Sequence, residues 1–184
     1  TLDFTTAPDL SAGCGGTIAL NTGSTSAVII CGTSITPVVQ TQPSGPELWI
    51  LPLKSLVLAS GTTLKFTGTR PAVLAVVGNA TISGTVDAGA TGATPGAGGD
   101  VSCAVGTGQG ADGVHDNDGN DGDGGGGGGG FGSAGLAGGA GNDGGGGGAA
   151  GGLNGGATLV PLRGGCRGGS GGVGGNINGA GAGG

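Results

Sequence analysis

The sequence predicts an all-β protein, in which a solenoid of short strands is favoured and a β-sandwich with a glycine-rich tail is the alternative. Apolar, β-branched runs of about four to six residues alternate with Gly, Pro, Asn or Ser between Thr17 and Val86. No window carries a useful helical period, and five prolines between positions 37 and 71 interrupt any helix. Residues 89–184 hold 44 of the 54 glycines, which leaves that half few side chains for a core.

The expected strands follow one another along the first half of the chain. They are TIAL, SAVIIC, ITPVV, ELWIL, SLVLAS, TTLKFTG, AVLAVVG and NATISGTVDA. Two segments, LVLASGTTLKFTG (56–68) and VVGNATISGTVDAG (76–89), share the same succession of strands and corners at an offset of about twenty residues. Such a repeat favours a solenoid, because each coil must stack on a similar neighbour to bury its inner face. We therefore predict a β-rich part at residues 1–88.

The second part, residues 89–184, allows two interpretations. A disordered linker is one, since glycine-rich chains behave as flexible coils. The other is an array of extended polyglycine segments with polyproline II geometry, whose N–H and C=O groups pair with neighbouring segments of the same or another molecule. A strict G-x-y repeat is absent, which excludes collagen.

Four cysteines, Cys14, Cys31, Cys103 and Cys166, point to disulfides. They form no C-x-x-C pair, and the only histidine is His115, so a zinc site is disfavoured. An even number of cysteines in a chain with few lysines fits an oxidising, extracellular setting. Of the three pairings we expect Cys14–Cys31 and Cys103–Cys166, and four buried free thiols are the alternative.

Charge and composition exclude some partners. The net charge is −6 with only five cationic residues, which argues against binding to the phosphates of nucleic acid. Only four residues are aromatic, so recognition by stacking is not expected. No apolar run approaches the ~20 residues of a membrane-spanning helix.

An acidic tract supplies the one candidate metal site. Asp116, Asp118, Asp121 and Asp123 offer hard oxygen ligands on a glycine-containing backbone, as calcium requires. The match to a calcium loop is incomplete, because Asp121 stands where that loop has glycine and no glutamate follows. A solvated acidic loop is the alternative, and no other cofactor is expected.

Several features occur in an order that resembles a known group of proteins. They are the pair Cys14-Gly15, the block LVLASGTTLKFTGTRPAVLAVVGNATISGTVDAG, a poly-Gly tract with GGGFG, and RGGCRGGSGG. This order resembles glycine-rich secreted or surface proteins that are frequent in myxobacteria and other bacteria with complex envelopes. The resemblance implies the start of a right-handed parallel β-helix with poly-Gly excursions, an extracellular location and a structural role. It implies no enzymatic activity.

The function expected first is that of a secreted structural protein that assembles with itself into a fibre or surface layer. The open end of a solenoid leaves strand groups unpaired and invites stacking. A head-to-tail contact of this kind does not close and would give a filament.

Two other functions remain open. An adhesin or ice-binding module would use Thr62, Thr63, Thr81 and Thr85 if they lined one face, and a surface polysaccharide is a candidate partner. An enzyme acting on polysaccharide would need a cluster of cations and carboxylates, which is not evident in the sequence around Lys54, Lys65, Arg70 and Asp87. We expect no enzymatic activity.

Overall fold

The all-β prediction is confirmed. The computed structural model describes residues 2–92, 94–101, 103–105, 107–115, 123–141, 145–156 and 158–172, and within these ranges it contains eleven strands and no helix. The chain divides into two compact units, Thr1–Gly99 and Asp100–Gly184. The sequence had placed the boundary at residue 88.

All eleven strands lie in the first unit. Their bounds are β1 (Asp9–Ala12), β2 (Gly16–Asn21), β3 (Val28–Ile30), β4 (Thr33–Ile35), β5 (Val38–Gln40), β6 (Leu48–Leu53), β7 (Ser55–Leu58), β8 (Thr62–Thr67), β9 (Ala72–Val76), β10 (Ala80–Ile82) and β11 (Thr85–Asp87). Pro37 separates β4 from β5 inside the run ITPVV, which had been predicted as one strand. Strand β1 had not been predicted.

Most strands pair in parallel, in three layers. The middle layer is formed by β6, β7 and β8. Strand β7 lies between β1 and β10, β8 lies between β2 and β11, and β9 pairs with β6. We call β1 and β2 the first layer and β9, β10 and β11 the third layer. The two similar sequence segments therefore lie side by side as the second and third layers.

Two antiparallel elements lie before the middle layer in the chain. Strands β3 and β4 form a hairpin, and β5 pairs with the edge of β6 opposite to β9. Ile30 and Ile35 of the hairpin are buried in the same apolar cluster as Leu10 of the first layer. The hairpin and β5 together are called the cap below.

The core of the first unit is built from side chains that repeat from layer to layer. Leu10 of β1 is level with Leu56 of β7, and Leu20 of β2 is level with Phe66 of β8. The fully buried members of the cluster include Leu10, Ala12, Leu20, Ile30, Trp49, Leu51, Leu53, Leu56, Leu58, Leu64 and Phe66. Burying a leucine or phenylalanine side chain contributes about 1.5–3 kcal/mol, so these columns are the main stabilising element of the unit.

The corner after β8 requires glycine. Gly68 has a φ of 109°, and a Cβ there would lie 2.5 Å from Asn21 Oδ1. Arg70 follows this corner and donates hydrogen bonds to the carbonyl oxygens of Thr22 and Gly23 and to the Glu47 carboxylate. The corner is thus fixed by backbone conformation and by one guanidinium.

The second unit has no strand among its described residues, yet its backbone is extensively hydrogen-bonded. Five extended segments pair with one another, and we number them I (108–115), II (123–131), III (134–141), IV (145–155) and V (164–172). Segment II is central, and it exchanges backbone hydrogen bonds with segments I, III, IV and V. The neighbours that such segments require are therefore supplied within the chain.

The bonds of segment II repeat every three residues. The N–H groups of Gly124, Gly127 and Gly130 donate to carbonyl oxygens of segment I at 3.1, 2.9 and 2.8 Å. The carbonyl oxygens of the same three glycines accept N–H groups of segment V, and these three residues are buried whereas those between them are partly exposed. A repeat of three residues per turn is the period of the polyproline II helix.

Candidate assembly surfaces

The predicted disulfide pairing is confirmed. Cys14 and Cys31 are bonded in the first unit, with their Cα atoms 5.5 Å apart. Cys103 and Cys166 are bonded in the second unit, with a Cα separation of 5.7 Å. The first bond joins the end of β1 to the turn of the β3–β4 hairpin, and the second closes a loop that contains segments I to IV.

Most of the predicted calcium ligands cannot be placed. Asp116, Asp118 and Asp121 lie outside the described residues. Asp123 is described, and its Oδ1 lies 2.7 Å from Nδ1 of His115. Within the ranges that the structure describes, no group of three His, Cys, Asp or Glu side chains could hold a metal ion.

The four candidate threonines do not share a face. Thr62 is buried, and its hydroxyl accepts a hydrogen bond from the Gly15 N–H. Thr63 and Thr85 are level with each other on β8 and β11, and Thr17 of β2 extends the same row. Thr81 lies on β10, in the sheet formed by β1, β7 and β10. Of the four candidates, only Thr63 and Thr85 are thus aligned by the parallel register, and Thr17 adds a third threonine to their row.

Three of the four charged residues considered for a polysaccharide-acting enzyme, Lys65, Arg70 and Asp87, form ion pairs. Lys65 Nζ donates to Asp87 Oδ2 at 2.9 Å and to the carbonyl oxygen of Gly89 at 2.7 Å. The Gly89 N–H donates to the second carboxylate oxygen of Asp87. The Lys65 hydrogen bond first, and the Gly89 N–H second, hold the pKa of Asp87 below its usual value. Arg70 is engaged by Glu47.

The third layer is half-buried along β9 and largely exposed along β10 and β11. Strands β9, β10 and β11 each pair with a neighbour on one side only, so all three are edge strands. All three residues of β10 are exposed. Ile82 and Val86 keep 54% and 43% of their surface accessible although both are large and apolar.

The exposed apolar residues of the third layer occupy inward-facing columns. Ile82 is level with Leu58 and Ala12, which are both fully buried. Val86 is level with Leu64, which is also fully buried, and with Ile18. The column of Ala12, Leu58 and Ile82 is therefore buried at the first and middle layers and exposed at the third. We call β9, β10 and β11 with these side chains the open layer.

At the opposite end of the stack, β1 and β2 are also edge strands, but their inward side chains are covered. Leu10, Ala12 and Leu20 belong to the first layer, yet they are fully buried. Ile30 and Ile35 of the cap pack in the same cluster, and β5 occupies the free edge of β6. The two ends of the first unit thus differ in their inward apolar side chains, which are buried at the first layer and exposed at Ile82 and Val86.

The sequence suggested an open solenoid end but did not locate it at Ile82 and Val86. Ile82 and Val86 lie in the predicted strand NATISGTVDA and have the alternation of ordinary core residues. The one signal in the sequence is that the strand pattern ends at Gly89. It indicates that NATISGTVDA is the last strand block before the glycine-rich part.

Comparisons with known proteins add no further information on function. No helix in the described parts of the chain is long and apolar enough to cross a membrane. Neither a protein-family model, nor a curated protein, nor a solved structure matches this chain.

Proposed function

We propose that this chain is an extracellular structural protein that associates with itself through the open layer of its first unit. We also infer that the first unit is a short parallel β-solenoid. The parallel pairing of β6 with β9, of β1, β7 and β10, and of β2, β8 and β11 supports this interpretation, because stacked coils place equivalent residues of successive layers side by side.

The observation that carries the proposal is the uncovered column at Ile82 and Val86. Edge strands with exposed apolar side chains pair readily with other strands, and soluble proteins usually protect them with charges, prolines or a covering element. Strand β10, Ala80–Ile82, is only three residues long but contains no charge or proline, and its apolar side chain Ile82 is 54% exposed. A strand from another molecule would satisfy both the backbone groups and the apolar surface.

The glycine-rich unit fits a structural role. We infer that segments I to V are polyglycine helices, supported by the three-residue repeat of their hydrogen bonds. Such segments present few side chains for catalysis, and they form a compact body only where the backbones approach closely. This interpretation favours a building element over an enzyme.

An extracellular location is supported by the two disulfides. Such bonds persist in oxidising compartments and are rare in the reducing cytosol. The location also agrees with the resemblance to glycine-rich secreted and surface proteins.

Sedimentation velocity on the full oxidised chain tests the proposal. The wild-type protein should sediment as a species larger than its 16.5 kDa monomer. Ile82→Lys should shift the distribution to monomer, because a charge in the inward column opposes pairing. Ile29→Lys is the matched control, since Ile29 is 69% exposed in β3, outside the open layer. A wild-type protein that stays monomeric at millimolar concentration would exclude self-association.

A second candidate function, a surface-binding module, is favoured by the row of Thr17, Thr63 and Thr85. The three residues are level on β2, β8 and β11, so their side chains share one face of that sheet. If the row binds ice, the wild-type protein should change the shape of growing ice crystals, and Thr63→Lys should abolish the effect without altering sedimentation. Crystals that grow normally with the wild-type protein would remove this candidate.

A further inference from the structure

The two ends of the β-stack limit how two copies can meet. Head-to-tail stacking requires the open layer of one copy to pair with the first layer of the next. The first layer keeps free backbone edges at β1 and β2, but its inward side chains Leu10, Ala12 and Leu20 are already buried, and β5 occupies the edge of β6. The apolar columns of the open layer would find no uncovered apolar column at that end.

We propose that the occupant of the open layer is the open layer of a second copy, placed tail to tail about a twofold axis. This inference rests on the self-association proposed above and specifies its symmetry. A second copy offers the same edge strands and the same uncovered columns at Ile82 and Val86. A contact made by the same surface on both partners is isologous, and it closes at two copies.

Strand polarity agrees with a twofold contact. A twofold axis perpendicular to β10 reverses the strand, so the two β10 strands run antiparallel. An antiparallel pair needs no connection between the chains, and its hydrogen bonds are at least as favourable as those of a parallel pair. Thr81 is the central residue of β10, so the axis that pairs the strand along its whole length passes close to Thr81.

Charge does not oppose this arrangement. Each copy carries a net charge of −6, so contact between like surfaces is favourable only where local charge is low. The three residues of β10 are uncharged, and Asp87, the one carboxylate of β11, is paired with Lys65 in the same copy. The surface brought together is therefore close to neutral.

The proposed symmetry differs from the expectation drawn from the sequence. Head-to-tail stacking had suggested an open filament, whereas a tail-to-tail contact ends at a dimer. If this chain forms fibres, the dimer is the repeating unit and a contact outside the open layer joins the dimers.

Cross-linking with single introduced cysteines distinguishes the two arrangements. Both native cysteine pairs are disulfide-bonded and no free cysteine is present, so each variant carries one free thiol. Thr81→Cys places it on β10. Ser11→Cys places it on β1, and both residues are level with Val57, so the two positions occupy one outward column at opposite ends of the stack. A short bis-maleimide is added to each oxidised variant and to an equimolar mixture of the two.

The proposal predicts a covalent dimer from Thr81→Cys alone and at least tenfold less from Ser11→Cys. Sedimentation of the wild-type protein should show a discrete species of about twice 16.5 kDa. Cross-linking that occurs only in the mixture, together with a ladder of larger species, would overturn the tail-to-tail contact and leave self-association through the open layer intact. Monomers in sedimentation, with no cross-link in any sample, would overturn both.

A last comparison tests whether the dimer depends on the inward side chain of Ile82. Ile82→Lys combined with Thr81→Cys should lose the cross-link, whereas Ile29→Lys combined with Thr81→Cys should keep it. A cross-link that survives Ile82→Lys would show that the copies meet elsewhere, against the proposal.

Discussion

Gly127 approaches Ala149 so closely that a Cβ on Gly127 would lie 2.1 Å from the Ala149 carbonyl oxygen. Gly127 also donates its N–H to the Ala111 carbonyl oxygen and accepts the Gly169 N–H. One glycine thus contacts three neighbouring segments through backbone atoms alone. Only a residue without a side chain fits there.

We predict that Gly127→Ala destabilises the second unit by about 1–3 kcal/mol, because the added methyl forces the segments apart. Gly139→Ala is the matched control, since a Cβ there meets no atom within 4 Å. It should leave stability unchanged or raise it by up to about 1 kcal/mol by restricting the unfolded chain. Amide hydrogen exchange in segment II measures both effects. Equal exchange in the two variants would refute the close packing of segment II.

Removing the disulfide of the second unit should cost more than removing that of the first. Cys103 and Cys166 are 63 residues apart and Cys14 and Cys31 are 17 apart, so the loop-entropy model assigns about 4 and about 3 kcal/mol. Double serine variants of each pair test this by hydrogen exchange in the unit concerned. The ordering is wrong if segments I to IV remain protected without Cys103 and Cys166.

Acidification should weaken the first unit through Asp87. Its pKa in the folded protein is lowered by Lys65, so ionised Asp87 stabilises the fold at pH values above the unfolded pKa of about 3.9. That contribution is lost as the pH falls through the lower, folded pKa. NMR titration of the Asp87 carboxyl carbon should show a midpoint below the usual value, and Lys65→Met should raise it. An unchanged midpoint in Lys65→Met would rule out Lys65 as the main cause.

One inward column provides a test of the layered core. Leu58→Ala should cost about 2–5 kcal/mol, because Leu58 is fully buried between Ala12 and Ile82. Ile82→Ala should cost less than about 1 kcal/mol in the monomer, since Ile82 is largely exposed. Fluorescence of the single, buried Trp49 reports unfolding of this unit. Equal losses in the two variants would contradict the uncovered third layer.

Sequence reasoning could find most strands because their side chains carry the information. Buried Leu and Phe side chains alternate with half-buried polar residues in β8, and buried Leu alternates with Ser55 and the exposed Val57 in β7, which is a period-two signal. Strand β1 was not predicted because its only inward apolar residues are Leu10 and Ala12.

The glycine segments could be predicted only as a class. Residues 124–130 are identical glycines, so no side chain records which segment each N–H meets. The pairing depends on loop lengths and on the closure at Cys103 and Cys166, which act in three dimensions. For the same reason the sequence could not decide between an ordered array and a flexible linker.

The uncovered state of Ile82 and Val86 also lay beyond the sequence. Both have the pattern of core residues, but no further strand pairs with β10 or β11 among the described residues. The exposure of Ile82 and Val86 depends on which layer they belong to, and their residue types do not reveal it.

The backbone packing of segments I to V has a thermal consequence. Exposing apolar surface on unfolding raises the heat capacity, by about 0.45 cal/K/mol per Å², whereas exposing polar surface lowers it by about 0.26. The second unit buries mainly peptide groups, so its heat-capacity change is small, and its stability keeps rising as the temperature falls. The first unit, with its leucine columns, should pass through a stability maximum near ~10–20 °C and weaken below it. On cooling, the glycine-rich unit should therefore lose less stability than the first unit.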